Sequence, residues 1–322
     1  YYGSELARGV VETANACGVD LVMPIVRVID NPNGHLYQFN VIREYITKAN
    51  VNGIIIAGGT VGNLLDETAF AAFLDRFQPL PVVSIGRYIN YGVSVTVDNA
   101  LSTKALVSHF IEHHGYRNFC LVSGSDANSD AQERKAAFLQ TLEEHGLSFN
   151  PAWEIKGDFR QESGQLAGRY IVEHLRGSID AVIASNDVMA LAICQVLREA
   201  GISVPGEIAV AGFDDVQEAD SQIVPLTTVH QSIRRLGSLA VESCMRLIMG
   251  ENVNSQVMPA ALKIRESCGC PPSYITSLKV VDSVGETALR LKERLVQEAT
   301  RFPGIDQHAL SALLSGILTA DN

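Results

Sequence analysis

A chain of 322 residues exceeds what one small core organises and predicts two domains of about 100–200 residues each. With 47% hydrophobic and 19% charged residues it can fill large cores, which excludes wholesale disorder. Its 25 Lys and Arg stand against 36 Asp and Glu, and the net charge of −11 argues against the chain itself lying along nucleic acid, where cations must neutralise phosphates. No apolar run nears the roughly 20 residues of a bilayer crossing, so no membrane partner is expected, and no secretory leader pattern opens the chain.

Apolar spacing alternates between helical and strand periods throughout. Ser4 reads as the cap of a helix with Leu6, Val10, Ala14 and Cys17 on one face, stopped by Gly18. A strand over 21–26 and a helix over 36–49 follow, then the all-apolar stretch 53–57, of the kind buried on both faces of a parallel sheet. Next come a helix over 67–77, strands over 81–85 and 93–97, a helix over 101–114 ended by Gly115, and a strand over 119–123. Helices over 131–145 and 161–176, a strand over 181–185, a helix over 188–200, a strand over 208–212, a helix over 233–249 and a strand over 261–264 complete the compact part. Two βα blocks, before and after Asp98-Asn99, predict an α/β architecture of two doubly wound parallel sheets with right-handed crossovers. Such a domain opens on a strand, so a first strand is expected upstream of Tyr1.

Ligands of open α/β sheets bind beyond the carboxyl ends of the strands, so polar residues there carry the functional signal. Asn186 and Asp187 stand at a strand-to-helix junction, Asp187 suited to cap the helix and Asn186 to point into a cleft. Asp214-Asp215 end another strand, Gln231 precedes a helix, and Arg134 opens one in Gln132-Glu133-Arg134. Blander readings stand beside these: Asp187 as an N-cap alone, Asp214-Asp215 as a solvated loop pair, Arg134 paired with Glu133 on a helix surface, Phe159 as core.

Together with Val95-Thr96-Val97-Asp98-Asn99, the His109–Arg117 run and Val204-Pro205-Gly206-Glu207-Ile208-Ala209-Val210, these stretches resemble the effector-binding domain of the LacI/GalR repressor family over about residues 4–266. The resemblance implies a type I periplasmic-binding-protein fold: one lobe from 1–98 and 231–260, the other from 99–230 and 261–272, joined by three crossings near Asp98, Gln231 and Ala260. Carried over position by position, the ligand contacts fall on Arg134, Asn186, Asp214 and Gln231, with Phe159 stacking on an apolar ligand face. The implied function is a cytoplasmic, homodimeric sensor domain of a bacterial regulator. It binds a small polar, sugar-like effector and reaches DNA only through a domain outside this chain. No catalytic residue, cofactor or metal is assigned.

One departure qualifies the ligand. Ala57 and Gly86 end first-lobe strands where sugar-binding members often carry Asn or Asp, so that lobe is expected to be bare. A degenerate pocket kept for dimerisation or a protein partner in a diguanylate cyclase or kinase therefore stays open, and beside it stands an exported solute-binding protein, against which the six Cys and the helical tail speak.

Of the six cysteines, Cys17, Cys120, Cys194 and Cys244 sit in apolar patterns. The close pair Cys268-Gly269-Cys270 is of a kind that binds metal or is redox-active, but no second Cys/His pair at finger spacing accompanies it, so buried or free thiols of a reducing cytoplasm are the better reading. Beyond it, Val281, Val284, Ala288, Leu291 and Leu295 follow the 3-4 spacing of a helical seam, and 309–318 reads as another helix. The 264–270 stretch also resembles signalling proteins that join a LacI-like sensor to a C-terminal diguanylate cyclase, kinase or AraC-type region, so 273–322 is expected to lead to an output domain.

Overall fold

The computed structural model describes residues 2–24, 26, 28–29 and 45–272. The chain divides into two units, Tyr1–Cys270 and Pro271–Asn322. The helices expected beyond residue 272 lie outside the described residues, as do 36–44 of the helix expected over 36–49.

In chain order the elements are α1 (Tyr2–Ala16), β1 (Ile54–Ile56), α2 (Gly58–Val61), α3 (Glu67–Asp75), β2 (Val82–Ile85), β3 (Val93–Val97) and α4 (Asn99–His114). Then follow β4 (Phe119–Ser123), α5 (Ser129–Glu144), β5 (Glu154–Lys156), α6 (Gln161–Tyr170), β6 (Ala181–Ala184), α7 (Asp187–Glu199), β7 (Ala209–Ala211), α8 (Gln217–Asp220) and β8 (Thr228–His230). The last three are α9 (Ile233–Ile248), β9 (Gln256–Met258) and β10 (Ala261–Lys263).

Two four-stranded sheets result, β1-β2-β3-β9 and β5-β4-β6-β7, and every pair in them is parallel. In the second sheet the side-chain alternation is plain. Cys120, Val122, Val182, Ala184 and Val210 pack with Ala167 of α6 and Met189, Ile193 and Leu197 of α7. Their neighbours Phe119, Leu121, Ala181, Ile183 and Ala209 pack instead with Leu106 and Phe110 of α4 and Phe138 and Leu142 of α5. Both faces are covered, which is why β4 and β6 read as unbroken apolar runs. In the first sheet Val83, Ile85, Val93 and Val95 meet α1 and α9 through Leu6, Ile233, Leu236 and Ala240, while Ile54, Ile56 and Val82 meet Phe70 and Leu74 of α3. The α/β fold with two doubly wound parallel sheets is thus present. Among the described residues no helix is long and apolar enough to cross a membrane.

The antiparallel pair β8·β10 stands apart from both sheets. It joins them where the backbone passes from β3 into α4, from β8 into α9, and from β9 to β10. Isolated bridges from Ala211 to Thr227 and from Asp214 to His230 extend the second sheet toward β8.

Local departures from the sequence reading have local causes. Tyr2 already belongs to α1, so Ser4 lies inside the helix rather than capping it. Residues 21–24 of the strand expected over 21–26 make no ladder; a strand exists only through its partner, and Leu21, Val22 and Met23 are exposed. Residues 45–49 form no α-helix. α4 and α5 each start two residues early because Asp98 and Asn128 cap them, accepting from Leu101 N and Ala131 N at 2.9 Å. The three-residue strands β5, β8 and β9 are too short for a period-two pattern to stand out.

Candidate functional site

The polar residues converge at the carboxyl ends of β6 and β7. After β7 the chain turns through Gly212 and Phe213 into Asp214 and Asp215, whose φ angles of 121° and 56° are in the left-handed region that strains a side chain. The surroundings impose this turn. Asp214 N donates to Val229 O at 2.9 Å, and the Asp215 carboxylate meets Arg265 Nη2 at 2.6 Å and His230 Nδ1 at 2.9 Å. Asp214 is buried and accepts a hydrogen bond from Gln231 Nε2. Burial pushes its pKa up to about 7; Arg134 and the Gln231 hydrogen bond pull it down, while Asp187 and Asp130 add to the rise.

Arg134, on the second turn of α5, is buried as well, so the pairing with Glu133 on a helix surface does not form. Its Nε donates to Asn99 Oδ1 at 2.8 Å, its Nη1 to Ser185 O at 2.7 Å, and its guanidinium lies 3.6 Å from the Phe213 ring centroid. Asn99, the first residue of α4, donates through Nδ2 to Asp130 Oδ1 and Glu133 Oε2, both at 2.9 Å. Asp130 is itself raised in pKa by burial, against the pull of Arg134 and Asn99.

The cap expected of Asp187 falls to Asn186. Asn186 is the N-cap of α7, accepting from Met189 N and donating to Phe159 O, both at 3.0 Å. Asp187 is fully buried beneath the turn, where it accepts from Thr228 Oγ1 at 2.6 Å and Val216 N at 2.9 Å. Burial raises its pKa to about 6 despite these bonds. Phe159, at φ 68°, rests on Gly124: a Cβ there would lie 2.3 Å from its Cζ. The ring is only partly buried at the edge of the α6–α7 core.

Two neighbours escaped the sequence reading. Tyr2 enters from the head of α1; its hydroxyl lies 3.5 Å from where a Gly86 side chain would begin, and burial together with Asp130 and Asp214 raises its pKa. Its position ahead of the first legible apolar repeat hid it. Asp130, in the first turn of α5, carried only the ordinary signature of an acidic helix start.

From the first sheet come mainly backbone groups. Gly59 O accepts from Asn128 Nδ2 at 3.1 Å and Gly86 O from Ser129 Oγ at 3.5 Å, so the two strand-end regions touch. Arg87 turns away, donating to Gly62 O and to Leu65 O at 2.8 Å over the Phe70 ring. A cavity of about 10 Å³ lies against Arg134, Ser185 and Phe213. A wider, open hollow of about 340 Å³ lies at Gln231, between Glu5 and the Arg234 and Arg235 end of α9.

The arrangement can recognise hydrogen-bond donors. Two buried carboxyls, Asp187 and Asp214, and the half-buried Asp130 accompany the buried guanidinium of Arg134, with Gln231 as both donor and acceptor.

Comparison with known proteins adds the following. The sequence pattern of the periplasmic binding protein-like domain matches residues 107–268. The HTH-type transcriptional repressor PurR of Photobacterium profundum is 29% identical over 274 residues, 82% of this chain and 76% of the relative. The ribose operon repressor of Escherichia coli K12 is 28% identical over 257 residues, 79% of this chain and 73% of its own. Among solved structures, the transcriptional regulator CelR in complex with cellobiose superposes with a TM-score of 0.70 at 23% identity, covering 83% of this chain and 79% of that one.

Proposed function

Because the chain belongs to the periplasmic binding protein-like domain family, as the effector-binding domain of a LacI/GalR-type regulator, we propose that it senses a small, neutral, polyhydroxylated molecule held at the strand ends around Arg134, Asp214 and Gln231. The observation that carries this reading is the burial of Asp187, Asp214 and the Arg134 guanidinium, with the half-buried Asp130 beside them, at that point. Such an excess of acceptors repels anions and suits hydroxyl hydrogens, each of which costs about 1–3 kcal/mol if left unpaired in a dry site. Asn186 and Phe159 complete the wall, the amide beside the ligand's polar edge and the ring under its apolar face.

The sensing step is lobe closure. One lobe comprises 1–98 with 231–260 and the other 99–230 with 261–272, and they hinge at the three crossings. A ligand touching both lobes favours the closed state by its differential affinity, and a two-fold dimer passes the change on. The reading is one of binding without turnover, in the cytoplasm, with DNA or another output engaged through a separate region. The chain's net charge of −11 argues against this chain itself lying along nucleic acid.

A second reading, a pocket retained for dimerisation or a protein partner, is favoured by the cavity of about 10 Å³ beside Arg134, which holds about one water. One screen separates the two. The chain and its Asp214→Ala variant are heated with sugars, sugar acids, nucleosides and amino acids. At about one hundred times its dissociation constant a ligand adds about 2.7 kcal/mol. A shift with neutral polyols, absent in the variant, is expected; a shift with sugar acids alone would overturn the charge argument, and none with any compound would favour the second reading.

A further inference from the structure

The cysteine pair without a visible partner in the sequence has one in the fold. His109 and His114, on the last turns of α4, lie against Cys268 and Cys270, and the four ligand atoms are all within 4.8 Å of one another. Cys268 Sγ and Cys270 Sγ are each 3.5 Å from His109 Nε2, and Cys270 Sγ is 3.4 Å from His114 Nε2. With zinc bonds of about 2.3 Å to sulfur and 2.0–2.1 Å to nitrogen, the sulfur–nitrogen edge of a tetrahedron is about 3.6 Å. Three of the four sulfur–nitrogen pairs stand at about that edge.

The backbone is arranged for this approach. Gly269 has φ 107°, so the chain reverses between the two cysteines, and a Cβ there would stand 3.2 Å from both His114 Nδ1 and Tyr116 Oη. The Tyr116 hydroxyl donates to Cys268 O at 3.0 Å and holds the turn. All six cysteines are free thiols, so no disulfide competes. Cys268 is fully buried and the other three ligands are half-buried, as in a closed structural site with no open coordination position.

We propose that His109, His114, Cys268 and Cys270 form a structural zinc site that fastens the 268–270 turn to the end of α4. Two thiolates and two imidazoles in tetrahedral array select zinc among the common divalent ions. Binding releases the two thiol protons to solvent, and two thiolates with Zn²⁺ leave no net charge in the site. The site uses none of the residues assigned to the ligand, so it stands or falls independently of the proposed sensing function.

The test is the metal content of the full chain, purified without chelators, followed by cobalt titration of the stripped protein. About one zinc per chain is expected, with a tetrahedral cobalt spectrum carrying a sulfur-to-metal charge-transfer band. Cys270→Ser and His114→Asn, chosen because these positions reach solvent and tolerate polar replacement, are expected to lose both signals while keeping the parent's circular dichroism. Cys17→Ser, at an exposed position, retains them. A chain free of zinc and showing no charge-transfer band with cobalt would overturn the proposal, leaving thiol–imidazole hydrogen bonds. Zinc retained in both variants would overturn it equally.

Discussion

Asp214 concentrates the chemistry of the site in one residue: a left-handed backbone, a buried carboxyl, and a pKa carried to about 7 by desolvation. A carboxyl raised on folding keeps its proton in the folded chain where the unfolded chain has released it. The stability it contributes is full below the ordinary value of 3.8 and is lost as pH rises through about 7. Asp187, raised to about 6, has the same sign. The ligand-free protein is therefore expected to lose stability from about pH 4 to about pH 7, at no more than about 1.4 kcal/mol per pH unit for each group. Denaturant midpoints across that range check it. In Asp214→Asn, which keeps the oxygen that accepts from Gln231, the slope should flatten; an unchanged slope would move the titration to another group.

At the scale of elements, α1 and α9 show how a helix pair positions Tyr2. They cross at Gly9 and Gly237, where a Cβ would come 1.9 Å from Arg234 O and 2.5 Å from Leu6 O. Across the same contact Arg234 reaches the exposed Glu12 at 3.3 Å and the half-buried Glu5 at 3.8 Å, pairs of little weight on an exposed arginine. Two effects of opposite sign meet in Gly9→Ala. Helix propensity favours alanine by about 0.8–1.0 kcal/mol. The added methyl collides with backbone, which cannot rotate away as a side chain would, and overpacking costs about 1–3 kcal/mol. Destabilisation is expected, and it should extend to ligand binding because α1 carries Tyr2. A variant as stable as the parent in urea would show that the pair slides apart freely.

For the whole molecule the question is how two sheets become one sensor. Among the described residues the strand-end regions meet through polar contacts such as Asn128 to Gly59 O and Ser129 to Gly86 O, and a ligand that touches both regions shifts the balance by its differential affinity. With a ligand from the thermal screen, small-angle scattering should report a smaller radius of gyration. An unchanged radius with bound ligand would rule out hinge closure as the sensing step.

The sequence by itself determined the α/β class, the order of βα units and most of their helices, because apolar period and caps are local properties. It also determined which residue types stand at the strand ends, and so Arg134, Asp214 and Gln231 were legible as a group. Only the tertiary structure decided what pairs with what. β5, β8 and β9 exist through their neighbours' ladders. Asn186 rather than Asp187 caps α7, because Thr228 and the Val216 amide, far along the chain, claim the Asp187 carboxylate. Tyr2 and Asp130 join the site through the packing of α1 and α5. Likewise Cys268 and Cys270 meet His109 and His114 because β10 runs beside β8 against α4, a proximity that no spacing along the chain encodes.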